Sequence, residues 1–339
     1  MNEAAEIRIP YEELVETLSG ILLKVGFGAD RARLSARLFA DASRDGVYSH
    51  GVNRFPRFLR SVGSGIVNPN ATPELVSRFG SLERWDGKLG PGNLNAHHCM
   101  QRAIELGREH GIACVALANT NHWMRSGNYG WQAANAGMIG ICWTNTMANL
   151  PPWGSSDPRL GNNPIIMAVP RWEGHVVLDM AMSQFSYGAI ESYRLKGEML
   201  PVPGGFSSEG ELTRDPAEIE RSQRALPIGY WKGSGLALML DIIASTLSGG
   251  QSTHELPPDP ERETRLSQIF ITIDPASPGS PGMADRILGN IIANLHASRT
   301  SGEFVRYPGE QVLKTRQQNL AHGIPVNVAI WKQLHENVG

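Results

Sequence analysis

Tyr230-Trp231-Lys232-Gly233-Ser234-Gly235-Leu236-Ala237-Leu238 is the stretch on which the fold turns. It carries two glycines flanking one residue, as a dinucleotide-binding loop does. Leu238, however, stands where the third glycine of GxGxxG is needed. Gly26-Phe27-Gly28 follows a helical pattern and Gly90-Pro91-Gly92 is a tight turn, so neither completes the motif after a strand. A Rossmann fingerprint is excluded. Instead, Gly233 to Ser248 reads as a helix stopped by Gly249-Gly250. Lys232, one of only six lysines, stands at its start, where free backbone N–H groups make a ready site for phosphate. An ordinary exposed first turn is the other reading.

Outward from this point, helical patterns and short apolar runs follow one another. Leu14, Leu18, Ile21, Leu22 and Val25 recur at three- and four-residue spacing, which predicts an amphipathic helix ending near Gly26. A second helix follows, with Asp30 as its N-cap and Leu34, Leu38, Phe39 and Ala42 on one face, until Gly46 breaks it. Ala71 to Asp86 reads as strand and Leu94 to His110 as helix. Ala113 to Ala118, Ile139 to Thr144, Ile165 to Val169 and Val176 to Met180 have the length of strands buried on both faces. Pro201 to Pro216 reads as a long loop, followed by a short helix over Ile219 to Arg224. After a polar loop from Glu255 to Thr264 come a strand, Gln268 to Ile273, and a helix, Met283 to Ala297. The expected architecture is α/β, with helical ends packed together around a central mixed sheet. Three segments are expected: a helical 1–80, a central 81–282 and a helical 283–339.

Composition narrows the function classes. The 339 residues include 31 basic and 33 acidic side chains, a net charge of −2 that argues against a nucleic-acid binder. Cys99, Cys114 and Cys142 form neither a disulfide framework nor a CxxC pattern, so they read as reduced thiols in a cytoplasmic protein. The Met1–Arg8 segment has Glu3 and Glu6 and no apolar run, and the longest apolar run, Leu236 to Ala244, contains Asp241. Neither a signal peptide nor a membrane span is expected.

The chemistry-bearing residues are histidines with polar company. Gly46-Val47-Tyr48-Ser49-His50-Gly51 has one residue too many for GxSxG, and adjacent Ser49 and His50 side chains are expected to diverge. His50 and Arg54 are four apart, which places an imidazole proton donor on the same side as a guanidinium suited to a carboxylate. A histidine that merely fills a helix junction is the alternative. Arg57 and Arg60 compete with Arg54 for the carboxylate. His122 follows an apolar strand, a common place for functional side chains, although taken alone it reads first as a structural histidine. His97 and His98 point apart on a helix and read as packing or surface residues. Asp179 sits in an apolar run, and a buried carboxylate needs a hydrogen-bonding role beside a ligand. Pro308-Gly309-Glu310 is by itself a turn.

Together these motifs resemble the malate/L-lactate dehydrogenase family, which lacks a Rossmann fold. The resemblance rests on Ser49-His50-Gly51, Asn121-His122, Asp179 after the Pro164–Pro170 strand, Lys232-Gly233-Ser234-Gly235 and Pro308-Gly309-Glu310, in that order along nearly the whole chain. It implies a mixed, predominantly antiparallel central sheet surrounded by helices. It also implies NADH-dependent reduction of a 2-oxo acid, with NADPH as a possible substitute, in a homodimer. The narrower expectation is the C2 ketone of a 2,3-diketo sugar acid; the alternatives are malate, lactate, ureidoglycolate or a cyclic imino acid. By the same resemblance His50 is the catalytic acid/base and His122 lines the pocket, orienting the carbonyl. Ser49 and Arg54 flank substrate and cofactor. The cofactor is expected on His175, Val176, Val177, Leu178, Asp179, Met180 and Ala181, on Trp231 and Lys232, and on Gly309, Glu310 and Gln311. No metal is implied.

Overall fold

The computed structural model describes residues 6–276, 282–299 and 305–336. The first five residues of the Met1–Arg8 segment lie outside them. Strand β1 (Glu6–Ile9) leads into helices α1 (Tyr11–Lys24) and α2 (Ala29–Arg44). Leu14, Leu18, Ile21 and Leu22 form the buried stripe of α1, as their spacing requires. Gly28, not Asp30, caps α2; Asp30 lies inside the first turn, where its charge still favours the helix dipole. The chain then makes two single 3₁₀ turns, Tyr48–His50 and Val52–Arg54, before α3 (Phe55–Gly63).

Next come β2 (Glu74–Phe79), β3 (Leu82–Asp86), α4 (Gly92–His110), β4 (Ile112–Asn121), α5 (Gly127–Asn135) and β5 (Ile139–Thr144). They are followed by β6 (Ile165–Val169), β7 (Val176–Met180) and α6 (Tyr187–Lys196). The stretch expected as one long loop contains a small ribbon, β8 (Gly205–Phe206) with β9 (Leu212–Thr213). Helix α7 (Pro216–Ser222) begins earlier than expected because Asp215 caps it and Pro216 suits its first position. The chain ends with α8 (Trp231–Ser248), β10 (Thr264–Ile273), α9 (Met283–His296), α10 (Glu310–His322), β11 (Ile324–Asn327) and α11 (Val328–Glu336).

Seven strands form one sheet in the order β2-β3-β4-β10-β5-β6-β7, in which only the β3–β4 pair is parallel. This is the mixed, mainly antiparallel sheet expected. One face packs Leu117, Cys142 and Phe270 against α4 and α5; the other packs Ala116, Trp143 and Ile269 against α8. The two ends of the chain join, because β1 pairs antiparallel with β11 over Glu6↔Asn327 to Ile9↔Ile324. Their apolar residues share one core with α1 and α2.

Candidate active site

The central strands open their ends at one edge of the sheet. Thr264 in β10 pairs with Asn121 at the end of β4, and Gln268 pairs with Thr144 at the end of β5. His122 follows β4 and Glu263 precedes β10, so both are delivered to this edge. The Asn121 amide fixes the exit by donating to Leu89 O and Gly90 O, each at 2.9 Å. The 3₁₀ turns bring His50 from the other side. They cross α2 so closely that a Cβ on Gly51 would lie 2.8 Å from Ser43 N, and the Ser43 hydroxyl accepts Val52 N at 2.8 Å.

His50 and His122 stack, with ring centroids 5.9 Å apart and planes 22° from parallel. The expected divergence of Ser49 and His50 does not hold. The 3₁₀ turn folds Ser49 Oγ to 2.9 Å from His50 Nδ1 and leaves His50 Nε2 without a hydrogen bond among the described residues. His122 Nδ1 accepts the Met124 amide at 3.0 Å, so the neutral ring carries its proton on Nε2. Burial and the charges of Arg54 and Arg125 push the His50 pKa down to about 4, against the opposing pull of Asp179. Burial, Arg54, His50 and Arg57 hold His122 well below the ordinary range. In the protein's own field both rings are neutral near pH ~7.

Arg54 shares a cavity with Arg57, Ser61, His122 and Glu263. The competition among the three arginines is resolved by pairing: Arg57 and Arg60 bind Glu261 at 3.1 and 3.3 Å. Arg54 has no hydrogen-bond or ion-pair partner among the described residues, and burial with the neighbouring Arg57 charge lowers its pKa to about 10.

The segments expected to hold a cofactor lie along β7, the last strand of the sheet. At its start, Val177 N donates to Pro308 O at 2.8 Å. Gly309, at φ +95°, lies so near that a Cβ would be 3.1 Å from Val177 N. Glu310 and Gln311 then open α10. At the far end, Ile228 N donates to Met182 O at 2.8 Å, which sets the turn before Trp231 and Lys232. Asp179 is not buried as its apolar neighbours suggest, because β7 is an edge strand. Its carboxylate accepts the Ser126 hydroxyl at 2.7 Å and Gly127 N at 2.9 Å.

One cofactor expectation is revised. The first amides of α8 are not free: Lys232 N, Gly233 N and Ser234 N donate to Gly229 O, Ile228 O and Tyr230 O. The chain enters this helix through a tight turn, with Tyr230 at φ +60°, that satisfies them locally. Lys232 offers its exposed ammonium alone. The His175 ring is also engaged, its Nδ1 accepting Arg171 N at 3.1 Å and its Nε2 lying 3.0 Å from Asn135 Oδ1, so it braces the turn into β7. What remains fits an extended dinucleotide: a backbone cradle kept open by Gly309, a strand edge, and one ammonium group.

Sequence reasoning missed Asp45, with the arginines it holds, and Glu263. Asp45, its side chain 1% exposed, binds Arg125 at 2.5 Å, Arg316 at 2.7 Å and Arg44 at 2.8 Å; Arg125 and His122 belong to one loop. Glu263 lay in a stretch read only as a polar loop. The one available signal was that Glu263 directly precedes an apolar strand whose end meets the end of another.

A family model described as malate/L-lactate dehydrogenase matches residues 9–335. A 2,3-diketo-L-gulonate reductase of Citrobacter koseri is 45% identical over 330 residues, covering 97% of this chain and 99% of that protein. The enzyme of the same name from Klebsiella pneumoniae is 44% identical over the same shares. The sulfolactate dehydrogenase structure of Methanocaldococcus jannaschii superposes with a TM-score of 0.91 at 28% identity, over 98% of this chain and 96% of that one. With its non-Rossmann sheet and a family match across almost its full length, this chain belongs to the malate/L-lactate dehydrogenase family.

Proposed function

We propose that this oxidoreductase reduces the C2 ketone of 2,3-diketo-L-gulonate to 3-keto-L-gulonate with NADH. The observation that carries the reading is Arg54, a desolvated guanidinium without an ion-pair partner among the described residues, in the same cavity as His122 and close enough to shift the pKa of His50. Such a group fits the carboxylate of a 2-oxo acid, whose planar pair of oxygens matches the guanidinium fork. The adjacent carbonyl then falls to the histidines. The names of the relatives at 45% and 44% identity support the sugar acid and the reductive direction.

Bound NADH supplies the hydride. His175 to Ala181, Trp231, Lys232 and Gly309 to Gln311 are the residues that would hold it, with NADPH as a second cofactor to be tested. Ser49 steadies His50 at Nδ1, and His50 gives a proton through Nε2 to the carbonyl oxygen. Neutral His122 donates its Nε2–H to the same oxygen and orients it. Substrate binding itself loads the acid: a carboxylate on Arg54 cancels one of the charges that keep His50 deprotonated.

In this reading the 1–80 segment supplies His50 and Arg54, the 81–282 segment supplies His122 and most of the cofactor site, and the 283–339 segment supplies Gly309 to Gln311. The working unit is a homodimer, supported by Leu236, Leu238, Met239 and Ile242 of α8, which are 42–50% exposed on one helix. Among the described residues no helix is long and apolar enough to cross a membrane. Three free cysteines support a cytoplasmic setting.

The test is loss of NADH absorbance with 2,3-diketo-L-gulonate beside pyruvate, oxaloacetate and a cyclic imino acid, repeated with NADPH. Preference for the diketo acid supports the proposal, and turnover of another acid alone overturns the substrate. His50→Asn lowers kcat by a factor of about 10² to 10⁴ with little change in NADH affinity. Equal loss of NADH binding would mark His50 as structural.

A further inference from the structure

Glu263 lines the Arg54 cavity together with Glu261, whose two oxygens are already taken by Arg57 and Arg60. Glu263 stands one residue before β10, and its Oε1 accepts the amide of Met147, which follows β5, at 3.2 Å beyond the paired ends of the two strands. Its other oxygen has no hydrogen-bond donor among the described residues. Arg54 and Arg57 face it from the 3₁₀ turn and α3 and lower its pKa, yet neither bonds to it, and burial raises the pKa overall. Glu261 already holds Arg57 and Arg60. The cavity therefore contains one unpaired cation, Arg54, and one carboxylate oxygen awaiting a donor.

That inventory selects among 2-oxo acids. The reacting end of any of them brings one carboxylate, which Arg54 takes. A hydroxyl farther along the substrate donates to the free oxygen of Glu263 and satisfies it. A second carboxylate at the same place meets Glu263 with no free cation left, and juxtaposed like charges are strongly unfavourable. An unsubstituted alkyl end leaves Glu263 desolvated and unsatisfied.

We propose that Glu263 is a specificity-determining residue that accepts a hydroxyl of the substrate beyond the reacting carbonyl and excludes dicarboxylic 2-oxo acids. It rests on the reading of a 2-oxo acid held by Arg54. Glu263→Gln keeps an oxygen for the Met147 amide while removing the charge, which makes it the informative substitution.

With this variant, kcat/KM for 2,3-diketo-L-gulonate falls about tenfold and that for oxaloacetate rises about tenfold, while NADH affinity by fluorescence titration stays as in the parent protein. A change of both substrates by one common factor, or of neither, overturns the proposal. A second measurement uses the unaltered enzyme and no turnover of the diketo acid. L-Gulonate, which has hydroxyls and one carboxylate, is expected to displace a bound 2-oxo acid at roughly tenfold lower concentration than succinate. Equal or tighter binding of succinate overturns the assignment. If the unaltered enzyme fails to reduce the diketo acid, the proposed function falls alone, because the inhibitor pair still reads Glu263.

Discussion

The imidazoles of His50 and His122 lie 5.9 Å apart, and their only ring-nitrogen partners among the described residues are the Ser49 hydroxyl and the Met124 amide. Two rings this close disfavour a shared double positive charge, which suits the proposed division into one titrating acid and one neutral donor. The arrangement divides the labour that the sequence assigned to two separate motifs.

It also fixes a pH dependence. His50 is held at about 4 in the free protein, so the base form needed for hydroxy-acid oxidation dominates through the neutral range. Oxidation kcat/KM is expected to stay level there and to fall only as the pH approaches about 4. Reduction needs the acid form, so its kcat/KM declines by about tenfold per pH unit across the same range. A reduction profile level up to the ordinary histidine value of 6.5 would contradict this assignment.

Much of this was legible in residue spacing, and what was not has physical causes. The strands Ile139–Thr144, Ile165–Val169 and Val176–Met180 appear with the boundaries read from their apolar runs, because short runs between turns leave little freedom. The failed GxGxxG at Leu238 correctly excluded a Rossmann loop. Helices α5 and α6 were not read, since Gly, Asn and Ser stand between their apolar residues, while α3, α10 and α11 fall within segments read as helical but received no bounds of their own. Local spacing placed His50 beside Arg54, but nothing local shows that Glu261, about two hundred residues later, takes Arg57 and leaves Arg54 open. The exposure of Asp179 likewise depends on strand order, which no single run reveals.

Arg54→Gln trades stability against binding. The change removes a desolvated cation that has no ion-pair partner among the described residues, so Tm is expected to hold or rise. Loss of a charge-assisted carboxylate contact costs about 2–5 kcal/mol, seen as a KM for the keto acid at least roughly thirtyfold higher. The pKa of His50 should also rise, moving the reduction profile to higher pH. A variant with unchanged KM removes Arg54 from the substrate site.

Gly309→Ala tests the cradle against β7. At φ +95° an alanine is strained by about 1–2 kcal/mol, and its Cβ would press on Val177 N at 3.1 Å and His175 O at 3.4 Å. Calorimetry should show a lowered Tm, and fluorescence titration a weakened affinity for NADH, with the keto-acid KM at saturating cofactor little changed. A normal NADH affinity in the folded variant would separate this turn from the cofactor.

Lys232→Ala should be silent in stability, because the side chain is exposed and its ammonium makes no ion pair among the described residues. If this ammonium faces the cofactor's phosphates as proposed, its removal weakens NADH by about three- to tenfold, more at low salt than at high salt. Salt-independent or unchanged affinity would leave the phosphates to backbone groups elsewhere on β7.

Asp45→Asn should be the most damaging substitution, although Asp45 lies outside the proposed chemistry. Its carboxylate takes Arg316 through both oxygens at 2.8 and 2.7 Å, Arg125 at 2.5 Å and Arg44 at 2.8 Å. It thereby joins the end of α2 to α10 and to the loop that carries His122. Breaking a buried pair from one side costs about 3–5 kcal/mol, which urea denaturation near pH ~7 would show. These guanidinium groups hold the Asp45 carboxyl far below the usual range. A group so depressed contributes stability that is complete above the unfolded carboxylate pKa of about 4 and is lost as the pH falls below it. The parent protein should therefore lose stability through that acid window while the variant, already lacking the contribution, changes less. Since Arg125 and His122 share a loop, the folded variant should also turn over more slowly, with unaltered kcat showing that the loop holds its place without Asp45.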